Sequence, residues 1–270
     1  MLISVIVSTY NRSKALELVL RALDNQTQDQ FEVVVADDGS REDTREVVEK
    51  LKETVSYPLV HAWQEDDGFR LARVRNLAVK NSHGEYLLFL DGDCVPQTSF
   101  IEKHRSLAEK GWVVAGNRVL LSQTFTTTVE QKGLDLSSKS LLFWLKERFL
   151  GNVNRAFSLM KLPLGSLRKR SRNDWRKLRG CNIGVWRSDY ENVNGFDSSF
   201  RGWGLEDTDF AVRLLNAGVS IKRGFFATTV LHLWHREAPR DNEQLNRDVA
   251  LERLKTGVFK AEDGLMQIQD

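Results

Sequence analysis

The segment 86–93 reads Tyr-Leu-Leu-Phe-Leu-Asp-Gly-Asp, an apolar run followed by two carboxylates on either side of a glycine. A short apolar run bounded by turn residues is typical of a strand buried inside a sheet. If the backbone stays extended beyond Leu90, Asp91 and Asp93 project from the same face. Gly92 between them leaves room for a ligand to approach. Oxygen donors of this kind suit Mg²⁺ or Mn²⁺ bound to a diphosphate, although Asp-Gly-Asp is also common in plain turns.

Strand-like and helix-like segments alternate around this run. Apolar β-branched runs predict strands, and apolar residues three and four apart predict helices. The predicted strands are 2–8, 31–36, 59–63 and 86–90, and the predicted helices are 16–23, 43–52 and 71–80. Asp43 followed by Glu46 is typical of a capping box at the start of the second helix. The alternation predicts an α/β fold with a mostly parallel central sheet, whose ligands bind at the carboxyl ends of strands.

Two other predicted strand ends also carry polar side chains. Thr9, Tyr10 and Arg12 follow the first strand, and Asp37 and Asp38 follow the second. Acceptor groups at these positions are suited to the ring nitrogen of a base or to the hydroxyls of a ribose. The alternative is an ordinary strand-to-helix turn that is stabilised by aspartate and glycine.

The stretch 200–210 contains three carboxylates within four residues, directly after two glycines that flank a tryptophan. Glu206 and Asp207 are placed to begin a helix, where exposed N–H groups stabilise carboxylates. That capping role is one interpretation. In the other, the pair belongs to an acceptor pocket, where one acid orients a sugar hydroxyl and the other removes its proton. Trp203 and Gly204 would line this pocket, with the indole against a sugar ring.

His232 and His235 are the most plausible nitrogen ligands for a metal ion, because a neutral imidazole can complete a site begun by carboxylates. If this segment is a strand, the two rings face opposite ways and only one of them can bind. His235, beside Trp234 and Arg236, is then the preferred ligand. A structural role for each histidine is the alternative.

The composition is that of an ordinary globular protein, with 270 residues, 41% hydrophobic, 28% charged and a net charge of +2. No stretch approaches the roughly 20 apolar residues of a membrane span, and the N-terminus lacks the pattern of a secretory signal. Cys94 and Cys181 make no disulfide framework. We therefore expect both cysteines to be reduced, in a cytoplasmic protein.

The segment 161–179 concentrates positive charge, with eight basic residues and one acidic residue. We do not expect a nucleic-acid partner, because no recognition motif accompanies this patch. A solvated loop, an anionic acceptor and the anionic inner face of a membrane remain as interpretations. The neighbouring segment 141–162 fits either a pair of amphipathic helices or a surface in peripheral contact with the membrane.

Several of these motifs, in this order, resemble the family 2 glycosyltransferases, which have the GT-A fold. The matching segments are 4–12, 35–40, 72–78 and 84–93. The segment 202–210 is similar to the acceptor motif of β-1,4-galactosyltransferases and bacterial chondroitin-type polymerases, and 64–71 strengthens the likeness to the polymerases. One departure is Leu205, which stands where the galactosyltransferase pattern has a second glycine.

The resemblance implies an inverting transfer of a sugar from a nucleotide sugar, most often a UDP-sugar, with Mn²⁺ or Mg²⁺ as cofactor. On the donor side, the resemblance implies nucleotide contacts from Thr9, Tyr10, Arg12, Asp38 and Asp67, and a ribose or diphosphate contact from Arg75. Asp91 would lie on the ribose–metal side, and Asp93 and His235 would bind the metal. On the acceptor side, the resemblance implies acceptor binding by Trp203, Gly204 and Glu206 and base catalysis by Asp207. Glu206 would orient the acceptor hydroxyl that Asp207 deprotonates.

The expected organisation is a GT-A domain over 1–240 and a helical tail over 241–270. Within the domain, 1–118 would bind the nucleotide sugar, 179–240 the acceptor, and 120–178 would be a basic and helical insertion.

The resemblance favours galactose or N-acetylgalactosamine over glucose or glucuronic acid. It also favours a glycan acceptor in the synthesis of bacterial cell-surface polysaccharide or lipopolysaccharide. The basic segment 161–179 indicates that this acceptor is anionic or lipid-linked. A nucleotidyltransferase is the main rival enzyme, but 9–13 contains no glycine for its phosphate loop. A non-catalytic carbohydrate- or membrane-binding protein with the same fold is the other alternative.

Overall fold

Strands and helices alternate through the first part of the chain. The structure is a computed structural model that describes residues 1–202, 204–236 and 242–269. The strands are β1 (Ile3–Thr9), β2 (Phe31–Asp37), β3 (Leu59–Trp63), β4 (Tyr86–Asp91), β5 (Cys94–Val95), β6 (Trp112–Ala115), β7 (Asn117–Leu120), β8 (Asn182–Trp186), β9 (Ser220–Arg223) and β10 (Thr229–His232). The α-helices are α1 (Ser13–Asp24), α2 (Glu42–Lys52), α3 (Leu71–Lys80), α4 (Phe100–Leu107), α5 (Gln123–Lys132), α6 (Leu141–Phe149), α7 (Arg187–Asn192), α8 (Glu206–Asn216) and α9 (Glu243–Thr256).

The central sheet has seven strands in the order β3-β2-β1-β4-β8-β6-β9, and of these β8 runs against its neighbours. Val5 and Val7 of β1 belong to the core on the α1 side, whereas Ile6 packs with residues of α3 on the other side. Strands covered on both faces are apolar along most of their length. The predicted α/β fold with a mostly parallel sheet is confirmed.

The carboxyl ends of β1, β2 and β4 lie side by side, with Thr9 in register with Asp37 and Ser8 with Asp91. The Gly92 N–H donates to the Ser8 carbonyl at 2.7 Å. A Cβ on Gly92 would lie 2.8 Å from that carbonyl oxygen. A residue with a side chain could not approach β1 this closely, so this position requires glycine.

The chain turns directly after β4. This strand ends at Asp91, and Gly92 and Asp93 form a turn. The expectation that Asp91 and Asp93 leave the same face of an extended strand is therefore wrong. The turn sends the two carboxylates towards different neighbours.

A three-stranded sheet, in the order β5-β10-β7, brings the C-terminal histidines to this turn. His232 is in register with Cys94, and the Leu233 N–H donates to the Asp93 carbonyl at 2.9 Å. Because β10 ends at His232, the chain from there to His235 is not a strand. The expectation that the two imidazoles face opposite ways is wrong for that reason.

Two helical predictions need correction. Helix α2 has Arg41 at its N-cap without a side-chain cap, and Asp43 accepts a hydrogen bond from the Ser13 hydroxyl at 2.7 Å, so the predicted capping box is wrong. The segment 141–162 forms one helix, α6, and then irregular chain with a 3₁₀ turn at Phe157–Leu159, rather than a pair of helices. Nowhere in the described ranges does a helix have both the length and the apolar character needed to cross a membrane.

Helix α9 packs against α8 through buried ion pairs. Arg253 donates to Asp197 and to Asp209, at 2.7 Å in each case, and both carboxylates are fully buried. Arg213 of α8 donates to Asp209 at 2.8 Å. A buried carboxylate is tolerated only when it is paired, so these contacts fix α9 to the helix that carries the acidic pair at its start.

Replacing Arg253 with methionine should destabilise the protein by about 3 to 5 kcal/mol, because buried Asp197 loses its charged partner and buried Asp209 keeps only Arg213. Urea denaturation measures this change. Arg247→Met on the same helix is the control: its pair with Glu243 is half-exposed, so we expect a loss of no more than about 1 kcal/mol. Equal losses in the two variants would contradict the structural role of Arg253.

Candidate active site

Arg75 joins the two acidic motifs that the sequence places far apart. Its Nη2 lies 3.0 Å from Asp91 Oδ1, at the end of β4, and its Nη1 lies 3.3 Å from Glu206 Oε1, at the start of α8. The Ser8 hydroxyl accepts from Arg75 Nε at 3.1 Å, and the Gly180 carbonyl accepts from Nη2 at 3.2 Å. The guanidinium thus holds the strand ends and the helix start at one place.

The Arg75 side chain is 1% exposed. We expected it to approach the ribose or the diphosphate, but the hydrogen bonds of its guanidinium go to protein groups. These contacts make Arg75 a positioning residue. A direct contact with the nucleotide stays a prediction.

Asp207 is held on the same side of the cleft. Its Oδ2 accepts a hydrogen bond from the Gly180 N–H at 2.8 Å. A Cβ on Gly180 would lie 3.2 Å from both terminal nitrogens of Arg75 and 3.4 Å from Asp207 Cβ. Gly180 is therefore pressed between the arginine and the carboxylate, and a side chain there would push them apart.

The start of α8 has an unusual backbone. Leu205 has φ 73° and Gly204 has φ 102°, both in the left-handed region that favours glycine. The departure at Leu205 thus places a branched side chain where glycine is free of strain. The Gly204 carbonyl accepts from Asn246 of α9 at 3.0 Å, which fixes the loop. Trp203, the predicted sugar platform, lies outside the described residues.

Glu206 has an altered acidity. Burial and then the charge of Asp207 raise its pKa to about 7, and Arg75 opposes the shift only in part. Burial likewise raises the pKa of Asp91, again against the influence of Arg75. Three carboxylates around one arginine cannot all be ionised at low cost, so Glu206 titrates near neutral pH.

Asp93 and the two histidines converge at the turn after β4. The Nε2 atoms of His235 and His232 lie 3.4 Å and 3.6 Å from the two carboxylate oxygens of Asp93. Burial lowers the pKa of His232 to about 4, so this imidazole is neutral and has a lone pair to offer. One carboxylate and two imidazoles form a donor set that fits a divalent transition-type cation such as Mn²⁺ better than Mg²⁺.

Arg12 lies against the same group. It donates to Asp93 Oδ2 at 3.1 Å and to Glu130 Oε1 at 2.9 Å. The Arg12 guanidinium therefore lies beside Asp93, where it would neutralise the negative charge of a diphosphate. Asp91, the other predicted metal residue, is paired with Arg75 and has the thiols of Cys94 and Cys181 close by.

The predicted nucleotide residues line the ends of β1 and β2 and the loop after β3. Asp38 accepts from the Gln64 side chain at 2.5 Å and from the Arg70 N–H at 2.8 Å, and burial raises its pKa to about 6. Thr9 Oγ1 is buried and has no hydrogen-bond partner among the described residues. An unsatisfied buried hydroxyl beside these acceptors is available to a ligand.

Tyr10 and Asp67 are at the open side of this corner. Tyr10 is 47% exposed, and its hydroxyl donates to Asp66 at 2.9 Å. Asp67 is 62% exposed and pairs with Arg70 at 3.3 Å. The sequence pointed to Asp67, but it is the neighbouring Asp66 that contacts Tyr10.

Comparison with known proteins identifies the family. A model of glycosyl transferase family 2 matches residues 4–163, which is more than half of the chain. The chain belongs to glycosyl transferase family 2. A second model, described as the N-terminal domain of galactosyltransferase, matches residues 164–236. The predicted resemblance on both sides of the site is confirmed.

Relatives of this family 2 domain include polysaccharide synthases. Chondroitin synthase of Escherichia coli is 28% identical over 264 residues, which cover 91% of this chain and 36% of that protein. Validoxylamine A glucosyltransferase of Streptomyces hygroscopicus subsp. jinggangensis is 30% identical over 248 residues, which cover 89% of this chain and 56% of that protein. The chain therefore spans well under two thirds of the length of these relatives.

Solved structures share the fold. TarS 1-349 of S. aureus in complex with UDP-GlcNAc has a TM-score of 0.62 at 17% identity, covering 99% of this chain and 69% of that chain. The mannosyltransferase PcManGT from Pyrobaculum calidifontis, in complex with GDP-Man and Mn²⁺, has a TM-score of 0.57 at 17% identity, covering 94% and 72%. These likenesses confirm the GT-A fold.

Several residues of the site were not singled out from the sequence. Gly180 and Ser8 hold Asp207 and Arg75, and Glu130 holds Arg12. A glycine just before an apolar strand was the one available signal for Gly180. Nothing in the local pattern distinguishes Ser8 or Glu130 from other polar residues near strands and helices.

The raised pKa of Glu206 predicts a pH-dependent stability. The unfolded chain loses the Glu206 proton near the ordinary pKa of 4.5, whereas the folded protein retains it up to about pH 7. The free energy of unfolding therefore falls as pH rises, and the stabilisation from the retained proton is lost as pH passes about 7. Urea denaturation from pH 5 to 8 should show that Glu206→Gln gains about 2 to 3 kcal/mol relative to the wild type. Glu191→Gln, at an exposed glutamate, should not. Parallel curves for Glu206→Gln and the wild type would refute the shift.

Proposed function

We propose that this chain transfers a sugar from a UDP-sugar to a hydroxyl of a glycan acceptor, with inversion at the sugar carbon and with a divalent cation bound. The observation that carries the proposal is the double ion pair of Arg75. It brings the end of β4, on the nucleotide side, against Glu206 and Asp207, on the acceptor side. Membership of family 2 supports the same reaction.

The nucleotide would bind across the strand ends. Asp38 offers acceptors to the base or the ribose, and Thr9 offers its unsatisfied hydroxyl. Tyr10 and Asp67 would close the open side. Arg12, held by Glu130, would contribute a positive charge beside the diphosphate.

The cation would be held by Asp93 and His235, with His232 as a further ligand. When bound, it supplies positive charge that stabilises the departing diphosphate. The residues around it stay fixed because Asp93 is tied to the turn and His232 to β10. Asp91 orients this corner through Arg75 rather than as the principal ligand.

Asp207 would act as the general base. The Gly180 N–H donates to Oδ2 at 2.8 Å and fixes the carboxylate, while Oδ1 accepts only a long hydrogen bond from the Thr208 hydroxyl, at 3.4 Å. Oδ1 therefore has a lone pair to offer the acceptor hydroxyl. Glu206, anchored by Arg75, would orient that hydroxyl. A base on the face opposite the leaving group gives inversion without a covalent intermediate.

We also propose which sugar is transferred and which kind of acceptor receives it. Galactose or N-acetylgalactosamine is favoured by the galactosyltransferase-like segment and by relatives named for chondroitin synthesis. A bacterial cell-surface polysaccharide or lipopolysaccharide fits these relatives, with synthesis on the cytoplasmic side of the membrane. A donor screen by release of nucleoside diphosphate would identify the sugar.

Asp207→Asn should lower kcat by about 10² to 10⁴-fold, because proton removal from the acceptor is lost. The affinity for UDP, measured by calorimetry, should stay within about twofold, since Asp207 faces the acceptor. Asp248→Asn, at an exposed aspartate of α9, is the control. Near-normal turnover of Asp207→Asn would end the base assignment, and wild-type protein that binds nucleotide sugars without turning over any of them would favour a binding protein.

Chelation of divalent cations should abolish turnover, and Mn²⁺ should restore it. His235→Ala should shift the Mn²⁺ titration to higher concentration by about 10-fold or more, because one ligand is lost. His83→Ala, at a largely exposed histidine, should leave the titration unchanged. Turnover that persists with a chelator would contradict a metal-dependent reaction.

A further inference from the structure

A second cavity lies apart from the active site. It has a volume of about 580 Å³ and is bordered by α4, by the segment 161–169 and by β9. None of the residues assigned above to nucleotide, metal or acceptor lines it. Because β9 is an edge strand of the central sheet and β3 is the other edge strand, the cavity lies at the edge of the sheet opposite to β3.

The cavity has more positive charge than its own acid can neutralise. Five basic residues and one acidic residue, Glu109, line it. Glu109 accepts from Lys169 at 2.7 Å and from Lys222 at 2.5 Å. Lys161 has no ion pair or hydrogen bond within the described ranges, and burial together with the neighbouring Lys103 lowers its pKa. The Lys103 ammonium pairs with the half-exposed Glu102 at 2.8 Å.

The rest of the lining is largely apolar. Leu162, Pro163 and Phe226 form part of the wall next to Lys161. Phe157 and Leu167, which flank this stretch of chain, are 66% and 48% exposed. Lysines interleaved with exposed apolar side chains are typical of surfaces that enter the interface of an anionic bilayer.

We propose that this cavity binds the phosphate-bearing head group of an anionic lipid, with Lys103 and Lys161 at the phosphate and Leu162, Pro163 and Phe226 along the start of the aliphatic part. The lipid would serve as an anchor for the domain and not as a reactant, because the cavity shares no residue with the active site. Nucleic acid fits less well, since Phe226 is the single aromatic residue among the described residues of the lining, whereas successive bases need several aromatic platforms. This inference goes beyond the proposed function and does not depend on sugar transfer.

Co-sedimentation with vesicles tests the inference on the full chain. We expect binding to vesicles of 70% phosphatidylcholine and 30% phosphatidylglycerol but not to pure phosphatidylcholine. The double variant Lys103→Glu/Lys161→Glu should lose affinity by at least about tenfold. The control Lys50→Glu/Lys52→Glu makes the same change of charge on α2, near the opposite edge of the sheet, and should bind almost as well as the wild type.

Three results would overturn the proposal. Equal losses in the two double variants would show a general charge effect without a site. Equal binding to the mixed vesicles and to pure phosphatidylcholine would exclude an anionic lipid, because phosphatidylcholine carries a phosphate but no net charge. Binding of inorganic phosphate that depends on Lys161, without any binding to vesicles, would identify a site for a soluble anion instead. Retained UDP binding and an unchanged urea midpoint show that the variants are folded, and neither readout depends on the proposed transfer reaction.

Discussion

The guanidinium of Arg75, buried between Asp91 and Glu206, is the contact on which the arrangement of the site depends. A buried arginine cannot lose its proton, so it needs carboxylates beside it, and those carboxylates need the arginine. The arginine and the two carboxylates therefore stabilise each other's charge. They fix the end of β4 against the start of α8, and with them the two halves of the cleft.

The same contacts explain the electrostatics at the start of α8. Asp207 is fixed by the Gly180 N–H, whereas Glu206 is buried and lies next to the charge of Asp207. A fold selected for stability alone would not collect carboxylates in this way, because the raised pKa of Glu206 reports an unfavourable environment for its charge. The strain at Leu205 is a second local cost at this loop. Both costs are offset by the packing of α8 against the sheet and α9.

Much of the fold could be predicted from the sequence, because β1, β2 and β4 are covered on both faces and so consist mostly of apolar residues. The acidic motifs could be located because they follow these strands. The geometry of the cluster of Asp93, His232 and His235 could not be predicted, since it depends on a turn after Asp91 and on the end of β10 at His232. The ion-pair partners of Arg75 could not be predicted either, because they come from distant segments of the sequence that only the folded sheet brings together.

A crystal structure of Asp207→Asn with Mn²⁺ and UDP tests the central claim most directly. We expect anomalous scattering from manganese at bonding distance from Asp93 and His235, with Arg75 still paired to Glu206 and the side chain at position 207 facing the same cleft. Manganese bound away from Asp93, or residue 207 separated from the nucleotide by the body of the protein, would contradict it.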